Sequence, residues 1–152
     1  MTEPNDKSTM VGINHVALEV GNIESALNFY GQFFNFSLRG KGKGMVFIDM
    51  GDQFLALAET DQQLPDRHRH FGLVVDDRSK LQDQLLAQKV ELIPGMGLNF
   101  RDPWGNFIQV VEYGDIQFSK KDTVLRSMNL NLSKTPKAIK EIEEKGMSSD
   151  SL

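Results

Sequence analysis

The chain has 152 residues, 39% hydrophobic and 25% charged, with ten Phe and no Cys. That is enough apolar material for one domain or two small modules around a shared core, and it rules out disulfides, thiolate chemistry and sulfur-ligated metals. Seventeen Lys and Arg against 21 Asp and Glu give a net charge of −4, so the basic footprint of a nucleic-acid binder is missing.

Residues 1–10 read as a polar, flexible N-terminus without the apolar run of a secretory signal, and no apolar run elsewhere approaches the roughly 20 residues of a bilayer crossing. A cytoplasmic chain with no membrane partner is expected. Residues 12–20 alternate as a strand, with Val16, Leu18 and Val20 on one face and Ile13, His15 and Ala17 on the other. Asn22 is placed to cap a helix whose apolar stripe is Ile23, Ala26, Leu27, Tyr30 and Phe34. Gly40-Lys41-Gly42-Lys43-Gly44 follows as a flexible connection. It lacks Gly-Lys-Ser/Thr and opens a strand, so a mobile hairpin fits it better than a phosphate loop. Strands at 45–50 and 53–59 form a hairpin around Gly51-Asp52. These elements make a first module over 11–59, and the acidic, proline-bearing 60–67 is a linker.

The second module, 68–113, repeats the order. It has a strand at 69–75, a helix capped by Ser79 with the stripe Leu81, Leu85, Leu86 and Val90, a short strand at 91–93 and a Pro94-Gly95 turn. Strands at 98–101 and 106–113 close it around Pro103-Trp104-Gly105. Residues 114–152 form a helical tail: 122–128 is weakly helical, and Thr135 with Pro136 opens a helix closed by Gly146. With only Ala138, Ile139 and Ile142 as apolar residues, that helix must dock on its own domain or on a partner. Residues 148–152 are expected to fray.

The two modules are copies of one another. His15-Val16-Ala17-Leu18-Glu19-Val20 sits beside His70-Phe71-Gly72-Leu73-Val74-Val75, and residues 47–59 align without a gap with 100–112. His15 thus corresponds to His70, and Ala56 to Gln109. The fold class is α+β, two tandem βαβββ modules forming a curved mixed sheet with a short helical C-terminal extension. A helix covers one face of each module, and the other face is left free as a cup for a small-molecule ligand. Phe54 and Phe107 share the faces of Ala56 and Gln109 and are candidate cup walls. Arg101 has three candidate partners: a ligand carboxylate, Asp102 and Asp49. Trp104 is expected to pack beneath its own turn, and His68 to stand at the cup rim. His15 and His70 are either satisfied interior histidines or symmetric metal ligands.

A duplicated module of this kind, with a histidine in the first strand of each half and an Asp-Pro-Xaa-Gly-Asn turn before the last strand, resembles the vicinal oxygen chelate superfamily. That group includes glyoxalase I, fosfomycin and bleomycin resistance proteins, methylmalonyl-CoA epimerase and extradiol dioxygenases. The motifs that carry the resemblance are Ile13-Asn14-His15-Val16-Ala17-Leu18-Glu19-Val20, Ile23-Glu24-Ser25-Ala26-Leu27-Asn28-Phe29-Tyr30 and Arg101-Asp102-Pro103-Trp104-Gly105-Asn106.

The resemblance implies metal ligands on the first and last strand of each module, which fall on His15, His70, Ala56 and Gln109. The glyoxalase pattern has carboxylates at the last two positions, and the fosfomycin and dioxygenase patterns have Glu where Gln109 stands. His15, His70 and Gln109 make a neutral N₂O set that would hold Zn, Ni, Co or Fe weakly. The set lacks the carboxylate of a two-His facial triad, and it offers no base beside the metal. Glu59 and Glu112, three residues further on, point to the opposite face, and Glu19 lies about 13 Å along the strand from His15, too far to share one ion.

Two functions stay open. One is a divalent-metal-assisted lyase, isomerase or transferase, with a dioxygenase-like enzyme disfavoured by the missing carboxylate. The other is a non-catalytic binding or sequestration protein of the bleomycin-resistance type, its ligand held by Phe54, Ala56 and Phe107. The small members resembled pair as dimers, so a homodimer is expected.

Overall fold

The computed structural model describes residues 7, 8 and 10–147. The frayed end expected at 148–152, and most of the flexible segment expected at 1–10, lie outside them. Strand β1 (His15–Val20) is shorter than 12–20 and turns Leu18 and Val20 inward while His15, Ala17 and Glu19 stay exposed. The Asn22 side chain caps α1 (Ile23–Gly31) by accepting the Ser25 N–H at 2.8 Å. The Gly/Lys stretch expected as a flexible connection is itself a strand, β2 (Leu38–Gly42). It pairs antiparallel with β3 (Met45–Asp49) across a tight turn in which Gly44 takes φ 71°. β3 continues into β4 (Phe54–Glu59), which lies parallel to β1, and the sheet order is β1-β4-β3-β2.

The second sheet has the order β5-β7-β6, from β5 (Phe71–Val75), β6 (Leu98–Arg101) and β7 (Phe107–Glu112). Three expectations are corrected here. Pairing of β5 with β7 begins at Phe71 opposite Ile108, so His70 stands just before the strand and not within it. Asp77, not Ser79, caps α2 (Arg78–Ala87), its carboxylate accepting the Lys80 N–H at 3.0 Å. Residues 91–93 form only an isolated bridge, Leu92 to Phe100, because Pro94 has no N–H to continue a ladder. Glu59 Oε2 accepts the Ile23 N–H at 2.9 Å and Glu112 Oε1 accepts the Arg78 N–H at 2.8 Å. Both strand-end carboxylates thus sit at the positive ends of helices, away from the cup.

The gapless alignment of the two closing hairpins is also corrected. Ile48 pairs with Leu55 in the first copy, and Phe100 pairs with Ile108 in the second. The turn over 102–106 is one residue longer than that over 50–53, so Phe100 corresponds to Ile48 and Asn99 to Phe47. A one-residue slip swaps the two faces of a strand, and it is this register that puts Asn99 and Arg101 on the open face.

One core joins both modules, with Leu18, Val20, Leu55 and Leu57 packed in the same cluster as Leu85, Phe100, Ile108 and Val110. The tail docks on its own domain. Helix α3 (Asp122–Ser127) and Met128 pack over Gly51, and Lys120 pairs with Asp52. Lys134 Nζ donates to the carbonyls of Tyr113 at 2.6 Å, Ile116 at 2.8 Å and Phe118, over the face of the Tyr113 ring, and burial lowers its pKa to about 8. Thr135 caps α4 (Pro136–Glu144), which buries Ala138 and Ile142. Among the described residues no helix is long and apolar enough to cross a membrane.

Candidate functional site

The open face of each sheet follows from alternation. In β7, Ile108 and Val110 are buried, which turns Phe107, Gln109 and Val111 toward the other side. In β4, Leu55 and Leu57 point into the core, which turns Phe54 and Ala56 outward. His15 and His70 are both exposed, so they are not interior histidines. Each stands against the phenylalanine of its module's last strand: His15 stacks on Phe54 with ring centroids 4.6 Å apart, and His70 tilts against Phe107 at 5.3 Å.

The two imidazoles are held alike at one nitrogen. His15 Nδ1 lies 2.8 Å from Asn14 Oδ1, and His70 Nδ1 lies 2.9 Å from the His68 carbonyl oxygen. Both partners are acceptors, so Nδ1 is the donor in each bond and Nε2 is the ring nitrogen left for a ligand. This is the arrangement by which proteins orient a ligating histidine. The roles of Asn14 and of the His68 carbonyl escaped the sequence reading. The Asn next to His15 was a usable signal, but a backbone carbonyl leaves none.

Gln109 is flanked by Gly72 on β5 and by Asn99 on β6, whose Nδ2 donates to the Met96 carbonyl at 3.2 Å. Its counterpart Ala56, only 1% exposed, lies between Ala17 and Phe47. The open surface therefore has a polar half in the second module and an apolar half in the first. Among the described residues no hydrogen bond joins His15, His70 and Gln109 to one another, and no three His, Cys, Asp or Glu side chains gather to hold a metal. Glu19 and His70 wall one small cavity of about 130 Å³ between β1 and β5, together with Ala17 and Asn106.

Arg101 pairs with neither Asp102 nor Asp49. Its Nη1 donates to the carbonyls of Asp66 at 2.7 Å and Gly105 at 2.9 Å, and the guanidinium lies 5.4 Å from the centre of the Phe107 ring. A second arginine plays a matching part in the first module. A bulge between Leu38 and Gly40 brings Arg39 over Phe54, at 4.9 Å, so each open face carries a His–Phe–Arg stack. Sequence alternation hid Arg39, since without the bulge its side chain would not fall on this face. Trp104 does not pack beneath its own turn alone: it reaches the first module at Gly21, where an added Cβ would lie 2.7 Å from Trp104 Nε1.

The model of the Glyoxalase/Bleomycin resistance protein/Dioxygenase superfamily matches residues 12–110. Among curated proteins, the chain is 29% identical over 100 residues to the Metallothiol transferase FosB of Lysinibacillus sphaericus (strain C3-41), covering 62% of this chain and 71% of the relative. Among solved structures, a glyoxalase family protein from Bacillus anthracis superimposes with a TM-score of 0.59 at 22% identity, covering 70% of this chain and 98% of the other. The fosfomycin resistance protein FosX from Listeria monocytogenes gives 0.57 at 16% identity, with 68% and 94% covered. These structural likenesses establish the fold alone. The tail beyond residue 110 lies outside the family match.

Proposed function

We propose, from the premise that this chain belongs to the Glyoxalase/Bleomycin resistance protein/Dioxygenase superfamily, that it acts on a small molecule in its sheet-lined cup with a divalent ion held by His15, His70 and Gln109. The observation that carries the reading is the pair of equivalent histidines, each anchored through Nδ1 to an oxygen and each leaving Nε2 free on an exposed face. Two imidazoles and an amide oxygen suit a borderline divalent ion such as Zn, Ni, Co or Fe, held weakly for want of a carboxylate. When bound, such an ion supplies Lewis-acid polarisation of a chelating pair of substrate oxygens.

The chain's own residues do the rest. Phe54 and Phe107 wall the cup and fix the ring planes of the histidines. Arg101, pinned by two carbonyls, presents positive charge beside Phe107. With Ala56 and Gln109 unable to take a proton, the base for such chemistry is supplied by the substrate itself. Transfer of a thiol is the first reaction to test, since a relative carries the name metallothiol transferase. Pairing with a second copy of the chain and a cytoplasmic location belong to the same reading, and sedimentation at tens of micromolar tests the pairing.

The absence of both family carboxylates favours one alternative, a non-catalytic module that sequesters its ligand between Phe54, Ala56 and Phe107. Calorimetric titration of Zn or Co separates the two. Gln109→Glu should bind at least about tenfold tighter than wild type, or 1.4 kcal/mol, since it adds charge to the ligand set without changing its shape. His70→Ala should bind more weakly. Equal affinity in all three proteins would sink the metal reading and leave the binding module.

A further inference from the structure

A second concavity lies apart from the cup. A space of about 620 Å³ opens on the helix side, between the segment following α1, the end of β3, the end of β5 and the start of α2. Its floor is apolar, from Phe33, Phe34, Phe36, Leu73, Leu81 and Met128. Its size falls in the range of small-molecule sites, roughly 300 to 1,000 Å³.

The duplication shows that this space is a local departure and not a general looseness. At the equivalent place on the other side of the seam, Trp104 presses on Gly21 and Tyr30 Oη donates to Asp102 at 2.7 Å. Here the shorter turn over 50–53 has no tryptophan, and Leu85, the counterpart of Tyr30, has no hydroxyl to offer. The wall that replaces them comes from outside the duplicated modules: Met128, Asn129 and Leu130 follow α3, with Asn129 at φ 60° in the left-handed conformation that ends the helix and swings Leu130 inward.

The rim carries Asp49, Asp76 and Asp77 against a single Lys80. The positive end of α2 beside them is already met by two carboxylates, Asp77 on the Lys80 N–H and Glu112 on the Arg78 N–H. The ionisable side chains at the mouth therefore sum to a negative charge, above an aromatic floor.

We propose that this cleft is a second binding site, separate from the cup, for a small amphiphilic cation: an apolar or aromatic body seated on Phe33, Phe34, Phe36 and Leu73, with a protonated amine toward Asp49 and Asp76. Aromatic faces and carboxylates both favour a cation, and both reject an anion of the same shape.

Three probes of one skeleton test it: 4-phenylbutylamine, 4-phenylbutan-1-ol and 4-phenylbutyrate, titrated into the full chain and followed by backbone amide chemical shifts. The amine is expected to bind at least fivefold tighter than the alcohol and the carboxylate more weakly still, with shifts confined to residues 33–36, 48–50, 73–77 and 128–130. Met128→Trp fills the cleft and should weaken the amine at least tenfold. Asp76→Asn changes an exposed side chain that folding does not need and should cut the preference of amine over alcohol about twofold. Equal binding of all three probes, no binding of the amine, or shifts centred on Phe54 and Phe107 would each overturn the proposal, the last by placing the ligand in the cup. The metal content of the protein has no bearing on these outcomes.

Discussion

The two ends of the seam between the modules start from equivalent turns and end in different chemistry. At one end the turn over 102–106 drives Trp104 against Gly21 and buries Asp102, which accepts from Tyr30 Oη at 2.7 Å, from the Trp104 and Asn106 N–H groups at 3.0 Å and from Asn106 Nδ2 at 2.7 Å. Asn106 Nδ2 also donates to the Glu19 carbonyl at 2.9 Å, tying this turn to β1 of the other module. At the other end Gly51 at φ 84° lies beneath Met128 and Val124, Asp52 pairs with the largely buried Lys120 side chain, and a cleft stays open. Duplication preserves the parallel pairing of the first and last strand of each module and frees the turns, where one inserted residue decides whether an interface is sealed by the modules themselves or covered by something appended.

The comparison breaks most visibly at Asp102. Asp102→Ala leaves four buried or half-buried donors without their acceptor, and on the order of 3–5 kcal/mol of stability should be lost. The counterpart at the open end, Asp52→Ala, removes an ion pair whose carboxylate is 53% accessible and whose Lys120 side chain is 9% accessible, worth about 1 kcal/mol. Urea unfolding of both variants checks the contrast, and similar losses in the two would mean that the ends are energetically alike.

Removing the tail beyond the cleft wall is a milder test. A chain ending at Asn131 keeps α3 but loses the Lys134 contacts and the buried Ala138 and Ile142. The melting temperature should fall by several degrees, on the order of 1–2 kcal/mol. An unchanged melting curve would show that the tail covers nothing that matters to stability.

Much of this was legible in the sequence because it rests on period-two alternation and on repetition. The faces of β1, β4 and β7, the pairing of His15 with His70 and the location of both on the open side follow from those two signals. The register of β6 was not legible, because Phe47 and Phe100 look like equivalents while an extra turn residue shifts one strand against the other. Ser79 reads as a good cap, yet Asp77 holds that place because Glu112, remote in sequence, fixes where α2 begins. The partners of Arg101 lie in the linker at Asp66 and in its own turn at Gly105, and Arg39 reaches the open face through a bulge. Each of these depends on where a distant segment comes to rest, which local pattern does not encode.

The finest test converts one atom of the sealed end toward its counterpart. Tyr30→Phe keeps the ring in the core and removes the hydroxyl, as its counterpart in the second module, Leu85, lacks one. Near neutral pH the loss should be about 1.5 kcal/mol, the low end of the range for a hydrogen bond to a carboxylate. The pH dependence distinguishes that bond from simple packing. Burial first, and the neighbouring Asp102 second, raise the Tyr30 pKa well above its ordinary value of 10.0. Above pH 10 the unfolded chain loses this proton while the folded chain retains it, so the stabilisation is complete below pH 10 and declines as pH rises further, by about 1.4 kcal/mol per pH unit. The gap between wild type and Tyr30→Phe, followed by urea unfolding from pH 8 to 11, should hold steady to about pH 10 and then close. A gap that stays constant through pH 11 would mean that the Tyr30 hydroxyl ionises as freely in the folded protein as in the unfolded chain, and that the end described as sealed is open to solvent.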